Sequence, residues 1–340
     1  MHRKLYKTLS YFMIAFMPSS CSEVETKTIY DGERMKKEAA ADIIIRSAQI
    51  DTALYNGRMK LLANGDLTGR WPPTASYPVA GAILPFKRIV AYYGNFYSVK
   101  MGILGEYSPE QTLEKLKAEI VNWRNADTLT PVMPAIHYIT VTAQRSPGAG
   151  GKYRLRMPYH QIEKAITLAK EVEGIVFLDI QVGLSTLQQE IPVLENYLKL
   201  PEVHLGIDPE YSMKTGLPPG TAIGSLDAND INYASEYLAH LVNKYNIPPK
   251  ILIVHRFTNR MVINYKKIIT RPEVQFVMNM DGFGFPAEKK NTYFHCIYKE
   301  PVQFGGVKLF YKNDTRSGTP LMTPDEILKL KPIPIYIQYQ

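Results

Sequence analysis

From Arg88 to the end of the chain, apolar runs of strand length alternate with stretches whose apolar residues recur every three or four positions. The runs are 88–94 (RIVAYYG), 129–139 (LTPVMPAIHYI), 174–183 (GIVFLDIQVG), 203–211 (VHLGIDPEY), 250–258 (KILIVHRFT), 274–284 (VQFVMNMDGFG), 306–314 (GVKLFYKND) and 334–340 (PIYIQYQ). Helical periodicity fills 108–124, 159–173, 186–200 and 227–245. Ser108, Pro109 and Gln111 form a helix-opening signature at the first of these. Strands separated by helices must return to the same end of the sheet, which implies parallel pairing. Eight such strands close a (β/α)8 barrel of the TIM type, and the fold class expected is α/β. The competing architecture, an open doubly wound sheet, normally carries a Gly-rich phosphate turn after its first strand. After RIVAYYG there is only NFYSVKMGILGEY, which lacks that spacing.

The barrel is expected over 87–340, ending on its eighth strand with the final outer helix missing. Residues 31–86 form an N-terminal extension. Its part over 32–56 reads as one or two helices ending at Gly57, able to replace the missing helix or to cap the bottom of the barrel. Pro72, Pro73, Pro78 and Pro85 mark an irregular connection.

Side chains alternate faces along a strand, which assigns the polar residues. His204, Gly206, Asp208 and Glu210 share one face of the fourth strand; Asp179 and Gln181 share one face of the third; Asn279 and Asp281 share one face of the sixth. His137, His255, Lys308, Gln338 and Gln340 come from the second, fifth, seventh and eighth. Nearly all lie toward the C-terminal ends of their strands, where barrel enzymes build active sites. Asp208 and Glu210 cannot face an apolar helix layer without a large desolvation cost, so they are expected to face the mouth. Pro209 between them lacks a ladder donor and marks where pairing stops.

Two carboxylates at i and i+2 on one strand face stand about 6–7 Å apart at Cα. Unequal environments then let one donate a proton while the other stabilises the reacting group, the usual chemistry of glycosidic cleavage. Structural alternatives are ion pairs of these acids with Lys308 or Arg256. A metal alternative gathers His137, Asp179, Asp208, His255 and Asp281 on a divalent ion. No His-x-His or His-Glu-x-x-His motif supports it, and the expectation is a site without metal or cofactor. Cys296 is expected on a helix away from the mouth.

Asp-x-Glu at the end of a fourth barrel strand resembles the catalytic pair of the chitinase and endo-N-acetylglucosaminidase group and of barrel-type lysozymes. VMNMDGFG is similar to the Met-x-Tyr-Asp strand end of the chitinase group, with Asp281 in the matching place and Met280 where a Tyr is expected. The resemblance implies that Glu210 is the proton donor and that Asp208 orients the substrate's N-acetyl group as internal nucleophile; Asp281 and Asp179 are expected to tune the charge around them. VHLGI stands where that group has a longer acidic run. Over 88–340 the chain also resembles a family of bacterial surface lipoproteins with LDIQ, DPE, MDGFG and a closing YQ, a likeness that supplies no activity. Candidate substrate contacts are Gln181, His137, His255, Tyr93, Tyr311, Lys308 and Gln338. The loop 142–156, with Arg145, Arg154 and Arg156, follows the second strand and either greets anionic groups or is solvated.

Residues 1–20 run from basic through apolar to small residues, the order of a signal peptide. Cys21 follows Ser19 and Ser20 and resembles the acceptor of a bacterial lipoprotein signal, although Pro18 replaces the usual leucine-like residue. The expected protein is exported and lipid-anchored through Cys21 at the cell envelope, on the outer membrane, with a tether over 21–30. The expected partner is a glycan or cell-wall polysaccharide. The net charge of +8 is too mild and scattered to imply a nucleic-acid partner.

Overall fold

A computed structural model describes residues 50–340 of the chain. The expected signal peptide, Cys21, its tether and the extension before residue 50 lie outside the described residues. Eight parallel strands form the barrel: β1 Arg88–Gly94, β2 Val132–Ala143, β3 Ile175–Ile180, β4 Val203–Ile207, β5 Lys250–Arg256, β6 Val274–Met280, β7 Phe304–Leu309 and β8 Tyr336–Tyr339. Each pairs with the next, and β1 pairs with both β2 and β8, so the sheet closes on itself. A short strand, Arg154–Arg156, runs antiparallel to the end of β2.

The outer layer includes α2 (Pro109–Ala126), α3 (Tyr159–Lys170), α4 (Ala228–Tyr245) and α5 (Pro286–Tyr293), which follow α1 (Thr52–Leu62) in the chain. Ser108 and Gln111 form the expected capping box on α2, whose Leu113, Leu116, Ile120 and Trp123 face the barrel as one apolar stripe. Trp123 donates from Nε1 to Tyr339 Oη at 2.9 Å, tying α2 to β8. Asp127, the residue that closes α2, accepts from Arg88 at 2.6 Å at the base of β1. The helix expected over 32–56 with its end at Gly57 lies mostly outside the described residues; helix α1 instead runs through Gly57 to Leu62, and of the two expected placements it takes the bottom of the barrel. Its Tyr55 and Met59 pack with Ile89, Phe177, Ile251 and Val277, inside the lower end of the barrel.

The segment 186–200, expected as one helix, is broken. Short turns over Leu187–Glu190 and Glu195–Leu198 flank a 3₁₀ turn that begins at Pro192, which has no amide to continue the ladder. The fourth strand stops at Ile207, and Pro209–Tyr211 is a 3₁₀ turn capped by Asp208. Cys296 is buried in a π-helical turn over Phe294–Tyr298 that continues α5.

Inward positions change character along the barrel axis. The lower ones are apolar, among them Ile89, Ala91, Ala135, Phe177 and Ile253. The upper ones are Tyr93, His137, Asp179, His255, Asn279, Lys308 and Gln338, all buried. Register sets Asp179 beside Gly206, Tyr93 beside His137 and His255 beside Asn279. A Cβ on Gly206 would lie 2.5 Å from Asp179 Oδ1 and 2.6 Å from His137 Nε2, so only glycine leaves room for that pair. Gly206→Ala is therefore expected to cost about 1–3 kcal/mol, read as a lowered denaturation midpoint. An unchanged midpoint contradicts this packing.

Candidate active site

Asp179 is the hub beneath the barrel mouth. Tyr93 Oη donates to its Oδ2 at 3.0 Å, while His137 Nε2 and His255 Nε2 stand 3.5 and 3.6 Å from its Oδ1. Each imidazole is fixed by its other nitrogen. His137 Nδ1 meets Tyr336 Oη at 2.6 Å, and His255 Nδ1 lies 3.3 Å from Asp281 Oδ2. Burial pushes the Asp179 carboxyl upward, but the His255 charge and both imidazoles outweigh it and hold it well below the usual carboxylate range. Burial pushes His255 down, and Asp179 with Asp281 reverses this, raising it to about 10. Burial prevails at His137, lowered to about 4. The cluster thus pairs one buried anion with one buried cation and a neutral imidazole.

Above this floor lies a cleft of about 450 Å³, lined by Tyr93, Gln181, Asp208, Glu210, Asp281 and Lys308, with Tyr211, Phe257, Phe283 and Phe310 among its aromatic walls. Asp208 is buried; its Oδ1 accepts from the Glu210 amide at 3.0 Å and its Oδ2 from Gln181 Nε2 at 3.3 Å. Burial, then the neighbouring carboxylates of Asp281, Glu210 and Asp179, hold Asp208 well above the usual range against the opposing charge of His255. Glu210 is half-buried, and no cation lies within ion-pair distance of it among the described residues. Burial and the Asp281 charge raise it to about 7, with Lys308 offsetting part of the shift. Lys308 Nζ sits 3.6 Å from the Tyr93 ring centroid, a cation–π contact. Burial lowers its pKa against the pull of the acids around it.

Of the residues singled out in the sequence, Asp208, Glu210, Asp281, Gln181, Tyr93 and Lys308 meet in the cleft. His137, Asp179 and His255 meet below it. Asp208 and Glu210 are not two positions on one strand face: the chain turns at Pro209 and Asp208 folds back to cap the Glu210 amide. Gln338 is fully buried, bonded to Tyr336 Oη and Asn279, while Gln340 reaches the cleft. Tyr311 points away from the mouth; it donates to Glu119 at 2.7 Å and stacks on Tyr339. Arg154 and Arg156 both grip buried Glu190, which removes them as ligands for an anion. Arg256 pairs with Glu300 rather than with a rim acid.

Phe257, Asn313 and Lys100 also line the cleft and were not singled out in the sequence. Phe257 directly follows the fifth strand, a position that carries a signal; Lys100 and Asn313 sit in loops whose path depends on distant partners. Asp314 is one such partner. It accepts from the amides of Gly284 and Phe310, both at 2.9 Å, and pairs with buried Lys289 at 3.0 Å. This clamp joins the loops after β6 and β7, which carry Phe283 and Phe310 to the cleft.

No family model matches the chain, and no curated protein matches it. Among solved structures, the HPPK-DHPS protein of Plasmodium falciparum, determined with pteroate, aligns at 10% identity and a TM-score of 0.34, over 85% of this chain and 52% of that one. The chain thus spans about half the length of that protein, and a likeness of this size carries no argument. The strand pairing itself shows the fold: an α/β chain closed as an eight-stranded parallel barrel of the TIM type, an architecture consistent with an enzyme.

Proposed function

We propose that the cleft hydrolyses a glycosidic bond in an N-acetylated sugar polymer, with Glu210 as general acid and Asp208 as its partner. The observation that carries this reading is the placement of Glu210: a half-buried carboxyl facing a cleft, unpaired with any cation among the described residues, and joined through its own amide to buried Asp208. In this reading Glu210 passes its proton to the leaving oxygen as the glycosidic bond breaks. The acetamido oxygen of the same sugar closes on the anomeric carbon, and Asp208 holds that group. Water then opens the ring so formed, giving its proton to Glu210 and restoring the acid. The aromatic side chains around the cleft supply flat apolar surfaces suited to sugar faces, and Asp281 raises the affinity of Glu210 for its proton.

We further propose that the chain is held at the cell envelope by lipid on Cys21. Among the described residues no helix is long and apolar enough to cross a membrane.

Glu210→Gln is expected to lower turnover of chitin or peptidoglycan oligosaccharides by roughly 10²–10⁴-fold with binding retained. Wild-type binding of these glycans without cleavage would reassign the cleft to recognition. Because the acid works protonated, activity is expected to fall as pH rises through about 7. A rate flat across that pH contradicts the role given to Glu210. Mass measurement of the native N-terminus is expected to find an acylated Cys21; an N-terminus with Cys21 free or absent rules out the anchor.

A further inference from the structure

The barrel interior contains a second constellation that the glycan reading does not use. His137 Nε2, His255 Nε2 and Asp179 Oδ1 lie within 4.8 Å of one another, all fully buried. None of the three atoms has a hydrogen-bond partner. Buried polar atoms are rarely left this way, and three gathered within 4.8 Å call for a common partner. A proton on His255 supplies charge but no bond, because Asp179 Oδ1 stands 3.6 Å from that nitrogen.

The remaining atoms of the same side chains are all engaged. Tyr336 Oη holds His137 Nδ1, Asp281 faces His255 Nδ1, and Tyr93 Oη holds Asp179 Oδ2. His137 also stacks on Phe177 with an interplanar angle of 18°. This is the outer-shell arrangement that orients imidazole and carboxylate ligands toward an ion. The spacing fits as well. Donors on a tetrahedral ion with bonds of about 2.0–2.1 Å stand about 3.4 Å apart, against 3.5 and 3.6 Å for the two pairs to Asp179 and a separation within 4.8 Å for the two imidazole nitrogens.

We propose that the barrel binds one divalent transition-metal ion through His137 Nε2, His255 Nε2 and Asp179 Oδ1, in a site beneath the cleft floor. Two imidazoles and a carboxylate favour zinc, cobalt or iron(II) over magnesium or calcium. None of the three ligands lines the cleft, so the ion positions the floor through Asp281 and Tyr93 and does not itself touch the glycan. The inference stands independently of the glycosidase reading.

The test is calorimetric titration of Zn²⁺ into the tag-free full chain after metal is stripped with a chelator and dialysed away. One ion per chain is expected. Tyr336→Phe, which removes the hydroxyl that holds His137 and also accepts from Gln338, is expected to weaken Zn²⁺ binding by about 10–100-fold, and His255→Asn to abolish it. His255→Asn also removes a buried partner of Asp179 and so tests the fold as well as the site, and X-ray absorption at the zinc edge of the loaded wild type provides a readout free of that cost. Imidazole outer-shell scattering with only nitrogen and oxygen neighbours supports the site. No uptake by wild type, uptake unchanged by Tyr336→Phe, or a sulfur neighbour overturns it.

Discussion

A carboxylate shut away from water stands in the middle of this barrel, and much of the surrounding structure follows from the cost of keeping Asp179 there. An isolated buried charge costs several kcal/mol, recovered only by close opposite charge and hydrogen bonds. Tyr93 supplies a hydrogen bond from β1 and His255 opposite charge from β5, while the neutral His137 of β2 stands 3.5 Å away. The requirement spreads outward. Tyr336 must hold His137, Asp281 must face His255, and position 206 must remain glycine so that the carboxylate fits. Removing one partner leaves the charge exposed to a low-dielectric interior, a loss of about 3–5 kcal/mol for a pair of this kind.

The same floor divides the acids above it. Asp281 lies between the two levels, facing His255 with one oxygen and entering the cleft beside Glu210. Without an ion on its Nε2, His255 is cationic and draws Asp179 into its ionised form, while burial and the charge of Asp281 make Asp208 and Glu210 keep their protons to higher pH. Carboxyl groups a few residues apart thus take opposite roles because their neighbours differ, which is the condition for acid chemistry near neutral pH.

Much of this was legible in the sequence because strand parity is a strong constraint. Period-two alternation turned His137, Asp179, Asn279, Lys308 and Gln338 inward, and all five are inward. The same parity turns Tyr311 outward relative to Lys308, a signal outweighed by its nearness to the strand end. Depth along the axis was not legible. Whether an inward residue ends in the cleft or beneath it depends on how far each strand is staggered, which separates Gln340 from Gln338 and the rim acids from the Asp179 cluster. Local turn geometry was hidden as well: Pro209 did announce the end of the ladder, but not that Asp208 would turn back onto the Glu210 amide. The grip of Arg154 and Arg156 on Glu190 joins segments more than thirty residues apart, and no local pattern reveals such a partner.

The central claim is that the fold holds Glu210 protonated near neutral pH while Asp179 beneath it stays ionised. Carbon-13 NMR titration of the glutamate carboxyl groups, with Glu210→Gln assigning the resonance, tests it most directly. The account predicts a midpoint at about 7 for Glu210. A midpoint at the ordinary value of 4.5 would contradict it, because a carboxyl ionised throughout the neutral range has no proton to give.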